Sequence, residues 1–245
     1  MFKIDDFSTK PPAELRAADF KKPMKKLLEK LADLQYLMLA QEKHSLLVVL
    51  QGMDASGKDG ITKKVFGACS PAGIQVHSFK KPTEEEFAHD FLWRVHKVAP
   101  RKGMINVFNR SHYEDVLIQR VHGWISEEHA RKRLAAINAF EELLTFDNDT
   151  IVLKFFLHIS KDQQAIELQQ RIDERDKNWK HNSNDWKERD YWDKYMWCYE
   201  EVLNNSAIPW QVVPMDERWY GRYLIAEKVV ETLENFNMSF PELEE

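Results

Sequence analysis

The chain has 245 residues, 43% apolar and 31% charged, with a net charge of −5; this supplies a sizeable core, and the acidic balance argues against a nucleic-acid partner. Two cysteines at unrelated positions, Cys69 and Cys198, suggest neither a disulfide framework nor a metal site. The longest apolar runs, such as residues 151–157 with Lys154 inside, are too short to span a bilayer, and MFKIDDFSTKPP lacks a signal-peptide core, so the expected setting is cytoplasmic with no membrane partner.

Residues 1–12 read as a loose arm ending in Pro11-Pro12. From about residue 24 to 43, Leu27, Leu28, Leu31, Leu34 and Met38 recur at three- and four-residue spacing, the stripe of an amphipathic helix. This arm and helix, 1–44, lead into a buried strand, LLVVLQ. A glycine loop then opens a helix that runs to about Cys69, where SPAG breaks it, and Ile74 to Phe79 makes a second strand. Thr83 caps a helix whose first turn holds Glu84, Glu85 and Glu86, acids that suit the helix dipole. PRKG enters a third strand at 105–108, SHYEDVLIQRV is helical, and Ser126 caps a further helix. TIVLKFFLHI is a strand whose length argues for the centre of a sheet. Residues 161–206 are helical and densely charged, WQVVP at 210–214 is a last strand, and a final helix runs from about Tyr220 to Phe236. Strands alternating with helices predict an α/β fold: a parallel sheet of about five strands flanked by helices, in one domain spanning 1–245. Ligands of such sheets sit at the carboxyl ends of the strands.

GMDASGK, 52–58, follows the first strand and opens a helix, the context a phosphate loop requires. Gly52 and Gly57 let the backbone N–H groups of the loop, through Ala55 and Ser56, turn inward, and Lys58 can reach terminal phosphates. Asp59 stands where such loops usually carry a Ser or Thr that holds Mg²⁺. Asp54 is a second acid close to bound phosphate; it either meets a metal or closes an Asx turn. In INVFNRSHYEDV, Asn109 and Arg110 end a strand and so face the cleft. The Arg110 fork suits a bridge between two phosphates, and Glu114 lies one helical turn on. The other reading is that Asn109 and Arg110 cap the following helix. Lys80 and Lys81 follow the second strand and are either site residues or ordinary surface.

Between Lys58 and His122 there are 11 Lys and Arg against 7 Asp and Glu, a basic track on an acidic protein that would suit an extended polyanion. Residues 168–195 mix Arg171, Arg175, Lys177, Lys180 and Arg189 with Trp179 and Trp186, in the slot where small kinases carry a mobile basic lid. A solvated face of i, i+4 ion pairs is the alternative for some of these positions. His77, His89, His96, His112 and His122 show no metal-ligand spacing, and the Trp and Phe residues read as core rather than as a stacking platform.

GMDASGKDG, FKKPTEEEFAHDFLWRVHKVAP, FNRSHYEDVLIQRVH, IVLKFFLHIS and NWK with Asp185 together resemble the family 2 polyphosphate kinases, over about residues 12–240. FNRSHYEDV looks most like their third subclass, which acts on nucleoside mono- and diphosphates. The resemblance implies a P-loop kinase-like fold with a helical lid and transfer of the terminal phosphoryl group of inorganic polyphosphate to AMP or ADP, other purine nucleotides being further acceptors. It implies Mg²⁺ as cofactor, with Mn²⁺ as a substitute, and a homodimer or homotetramer. Carried over by residue, Gly52 to Lys58 is the phosphate loop, Asp54 its acid near the metal, Arg110 the arginine of the second motif, and Arg171, Lys177 and Lys180 lid basics. Many relatives outside this subclass have Asp where this chain has Asn109, which makes Glu114 the better second metal candidate beside Asp54. Two rivals stay open: an ATP-dependent nucleotide or small-molecule kinase, and a non-catalytic phosphate or nucleotide sensor.

Overall fold

The computed structural model describes residues 3–243. Its helices are α1 (Lys21–Gln41), α2 (Lys58–Lys64), α3 (Glu84–Phe87), α4 (Trp93–His96), α5 (Ile118–Val121), α6 (Glu127–Asn148), α7 (Lys161–Asp173), α8 (Ser183–Glu188), α9 (Trp192–Asn205) and α10 (Arg218–Glu234). Its strands are β1 (Ser45–Gln51), β2 (Ile74–Ser78), β3 (Ile105–Asn109), β4 (Thr150–His158) and β5 (Trp210–Pro214). They form one sheet in the order β2-β3-β1-β4-β5, every pair parallel. All seven residues of β1 are buried, as a central strand covered on both faces requires. β4, expected at the centre, is interior but one place off it, between β1 and β5. The order reverses at β1, so a crevice opens above its carboxyl end. No helix among the described residues is long and apolar enough to cross a membrane.

The stripe read for α1 is what it buries: Leu31, Leu34 and Met38 go inward, and the helix packs along α10. Ser126 caps α6 by accepting from the His129 N–H at 3.2 Å. Other elements depart from the sequence reading. The arm is not loose at Ile4, which is buried and whose N–H donates to Glu200 at 2.8 Å. Further on, the Thr9 hydroxyl donates to Asp216 at 2.8 Å. The segment after β3 is not one helix. It is a 3-10 turn, His112–Val116, followed by α5, with Leu117 at φ −103° and ψ −83° between them.

A buried polar knot anchors the first of these turns. Lys154 on β4 is wholly buried, and its ammonium donates to Glu141 of α6 and to the Tyr113 hydroxyl, both at 2.6 Å. Tyr113 in turn donates to Glu141 at 2.9 Å, and His112 Nε2 lies 3.2 Å from the same carboxylate. Burial alone would raise the Glu141 pKa, but the His112 hydrogen bond and the Lys154 charge hold it below the ordinary value. Stripping one partner from such a buried pair typically costs about 3–5 kcal/mol. The knot therefore pins residues 112 and 113 inward and aims their neighbours, Arg110 and Glu114, at the crevice.

Candidate active site

The phosphate loop leaves β1 at the middle of the sheet. Gly52 and Gly57 have φ of +152° and +105°, where a side chain is strained. A Cβ on Gly52 would stand 2.7 Å from the Leu157 carbonyl oxygen, and one on Gly57 2.6 Å from the Arg218 guanidinium. The Lys58 ammonium folds into this cradle and donates to the Gly52 and Met53 carbonyls at 2.6 and 3.0 Å. Burial, and then the charge of Arg110, push its pKa down to about 8.

Arg110 faces the loop from the end of β3. Its φ of +62° is left-handed, a conformation that costs roughly 1–3 kcal/mol in a non-glycine residue and turns its side chain away from the strand's course. Its guanidinium pairs with the Asp54 carboxylate. Glu114 and then Asp54 raise its proton affinity, so it is charged throughout. The carbonyl of Asp54 accepts from Gln164 of α7 at 2.9 Å.

Asp59 has a definite role in the geometry. It accepts from Asn109 at 2.8 Å and from Lys180 at 2.9 Å. Burial would raise its pKa, yet these two hydrogen bonds hold it below the ordinary carboxylate value. A carboxylate at position 109 would face Asp59 as a like charge, so Asn109 is the residue that fits. The Asp59–Lys180 pair joins the loop to the segment between α7 and α8 from across the cleft.

The other lid cations divide. Arg171 pairs with Asp185 at 2.7 Å, and Lys177 contacts Gln170 at 3.0 Å and Glu174 at 2.7 Å; all line the cleft or its rim. Arg189 does not line it. It donates to Lys161 O and Gln164 Oε1, both at 2.8 Å, and so braces the side chain that holds the Asp54 backbone. Arg218 on α10, missed in the sequence, donates to the Ser56 and Ala55 carbonyls and pairs with Glu167 at 3.3 Å. Arg222, one turn further, also lines the cleft. Arg218 opens α10 four residues after β5, so the strand-end rule could have found it had the last helix been started two residues earlier.

The cleft measures about 740 Å³. A groove of about 900 Å³ adjoins it past Lys63, Lys80, Lys81, Lys177 and Lys180. A third pocket of about 650 Å³ is walled by Phe79, Pro82, Phe87, Ile118 and Trp124. Phe87 and Trp124 are 62% and 67% exposed, so these aromatics are not core; the acidic surface argues against nucleic acid but not against a single small aromatic ligand. Lys80 and Lys81 border both groove and pocket, and buried Arg94 holds the Lys80 carbonyl at 2.9 Å. Arg110 lines all three cavities.

No group of three or more His, Cys, Asp or Glu side chains among the described residues is arranged to hold a metal. A hard divalent cation in a phosphate site needs only one or two carboxylates, since phosphate oxygens and water complete its shell. Asp54 and Glu114, the two strongest electrostatic partners of Arg110, fit that donor set.

A phosphate loop at the end of the central parallel strand, an arginine and acid facing it, and a lysine reaching across from a helical flap define a P-loop kinase-like protein. The family model for Polyphosphate kinase 2 (PPK2) matches residues 14–241, and the chain belongs to that family. It is 44% identical to the AMP/ADP-polyphosphate phosphotransferase of Meiothermus ruber, over 99% of this chain and 91% of that one. It is 43% identical to the ADP-polyphosphate phosphotransferase of Rhodopseudomonas palustris, over 88% and 79%. Its fold matches the crystal structure of Polyphosphate Kinase 2 from Arthrobacter aurescens TC1 with a TM-score of 0.95 and 39% identity, covering 100% of this chain and 89% of that one.

Proposed function

We propose that this protein transfers the terminal phosphoryl group of inorganic polyphosphate to AMP and ADP, and in reverse returns phosphate to the polymer. The observation that carries the reading is the position of Arg110, where the phosphate-loop cleft meets the aromatic pocket. A donor held by the loop and an acceptor with its base among Phe87 and Trp124 would present their reacting phosphates to one guanidinium.

The chemistry is in-line displacement: an acceptor phosphate oxygen bonds to the terminal phosphorus while the bridging bond to the next phosphate breaks and its electrons stay on the shortened chain. The loop N–H groups and Lys58 hold the donor; Arg110 spans donor and acceptor; Lys80 and Lys81 neutralise phosphate beside the acceptor pocket. Lys58 withdraws from its own loop carbonyls to do this, and phosphate oxygens replace them. Closure of Lys177 and Lys180 over the loop excludes water, which would otherwise waste the donor. Asp54 and Glu114 would hold Mg²⁺, for which Mn²⁺ can substitute; bound there, it supplies charge neutralisation of the phosphate oxygens. The acceptor oxygen is largely ionised near neutral pH, so Asp54 serves as a metal and Arg110 partner rather than as a base. The assembly we propose, a homodimer or homotetramer, rests on family likeness and is open to light scattering, and the cytoplasmic setting we propose rests on the sequence reading alone.

The test is nucleotide formation by purified protein from long-chain polyphosphate, Mg²⁺ and either AMP or ADP, without ATP. Product from both acceptors, lost in Lys58→Ala and Asp54→Ala, supports the proposal. Product from ADP alone removes the dual specificity, and no product from either moves the reading to an ATP-dependent kinase.

A further inference from the structure

Among the described residues, seven cations line the phosphate-loop cleft, and six are already engaged. Arg110 pairs with Asp54, Arg171 with Asp185, Lys177 with Glu174, Lys180 with Asp59 and Arg218 with Glu167, while Lys58 is satisfied by loop carbonyls. Arg222 is the exception. Among the described residues it forms no hydrogen bond or ion pair, and its Nε is buried without a partner. Its guanidinium lies beside Gly60 in the first turn of α2, where a Cβ would stand 3.2 Å from Nη2. Burial, and then the like charge of Arg218, lower its proton affinity, and Glu167, already paired with Arg218, offsets only part of this. A half-buried, unpaired guanidinium beside another costs stability unless an anion completes it.

Where that anion comes from follows from the reaction geometry, and the inference rests on the function proposed above. In-line transfer puts the leaving phosphate opposite the attacking oxygen. The aromatic pocket lies on the β2–β3 side of Arg110, bounded by Phe79 after β2 and Ile118 after β3. The phosphate-loop cleft extends from Arg110 to Arg218 and Arg222 of α10, which gives the rest of the donor a path across the loop on the side away from that pocket. Arg222 waits there.

We propose that Arg222 is a donor-specificity residue, binding phosphoryl groups of the polyphosphate chain beyond those cradled by the loop, so that it favours long chains over tripolyphosphate. Nothing in the knot, the lid pairs or the loop depends on its side chain, so its replacement should spare the fold.

The experiment compares kcat/KM for long-chain polyphosphate and for tripolyphosphate, at saturating ADP, in the wild type, Arg222→Ala and Arg222→Lys. Circular dichroism serves as the folding control. The expected result is a fall of about tenfold in the long-chain to tripolyphosphate ratio for Arg222→Ala, the worth of one charge-assisted contact, with a smaller fall for Arg222→Lys. An unchanged ratio overturns the inference while leaving the function intact. So does a loss that instead appears as a raised KM for ADP. Absence of product from the wild type with either donor overturns the function and this inference together.

Discussion

Lys58 makes the sharpest prediction, because its burial sets a pH limit on donor capture. Its pKa of about 8, against an ordinary 10.5, represents about 3 kcal/mol of lost preference for the charged form. Bound phosphate sets anionic oxygens in place of the neutral loop carbonyls, so it favours the protonated ammonium and restores the higher value. Only the free enzyme should therefore lose its proton in the accessible range. The kcat/KM for polyphosphate reports the free enzyme, whereas kcat reports the loaded one. With a pKa of about 8, roughly nine-tenths of Lys58 is charged at pH 7 and roughly one-tenth at pH 9, so kcat/KM for the donor should fall about tenfold between them. Over the same interval kcat should hold. Arginine stays charged at any of these pH values, so Lys58→Arg should show lower activity but no alkaline limb. The assay is a pH series of initial rates with ADP saturating and polyphosphate varied. A wild-type kcat/KM that is flat to pH 9.5, or an equal limb in Lys58→Arg, refutes the reasoning.

Three further outcomes follow from the geometry. Arg110→Lys keeps the charge but loses the fork between donor and acceptor, and single-turnover kinetics should show kcat down about a hundredfold or more. Phe87→Ala with Trp124→Ala strips the aromatic pocket and should raise KM for ADP about tenfold, with the polyphosphate KM moving far less, as steady-state kinetics would register. Lys154→Met leaves Glu141 buried without its cation; at about 3 kcal/mol, calorimetry should find Tm lower by about 10 °C, and Glu141→Leu added to it should recover part of the loss.

Much of this protein is legible in its linear order. Strand–helix alternation gives the parallel sheet, and the stripe of Leu31, Leu34 and Met38 gives the buried face of α1, because periodicity records which side meets the core. GMDASGK after an apolar strand gives the phosphate loop, since its glycines are needed wherever the backbone must turn on itself. Arg110 was visible by its place at a strand end. The family, too, was carried by short motifs that keep their spacing, and the comparisons bear it out.

What only the tertiary structure decided is pairing. Asp59 stood out in the sequence as a misplaced acid, but its partners Asn109 and Lys180 lie 50 and 121 residues away. Lys154 interrupted an apolar strand with no sign of Glu141 or Tyr113 beneath it. Arg189 matched a lid basic by composition, yet its hydrogen bonds turn it to the scaffold, while Arg218 and Arg222 reach the loop from a helix more than 160 residues downstream of Ser56. Periodicity and local motifs are properties of neighbours in the chain, whereas a buried charge is settled by whichever opposite group the folded backbone brings within about 3 Å.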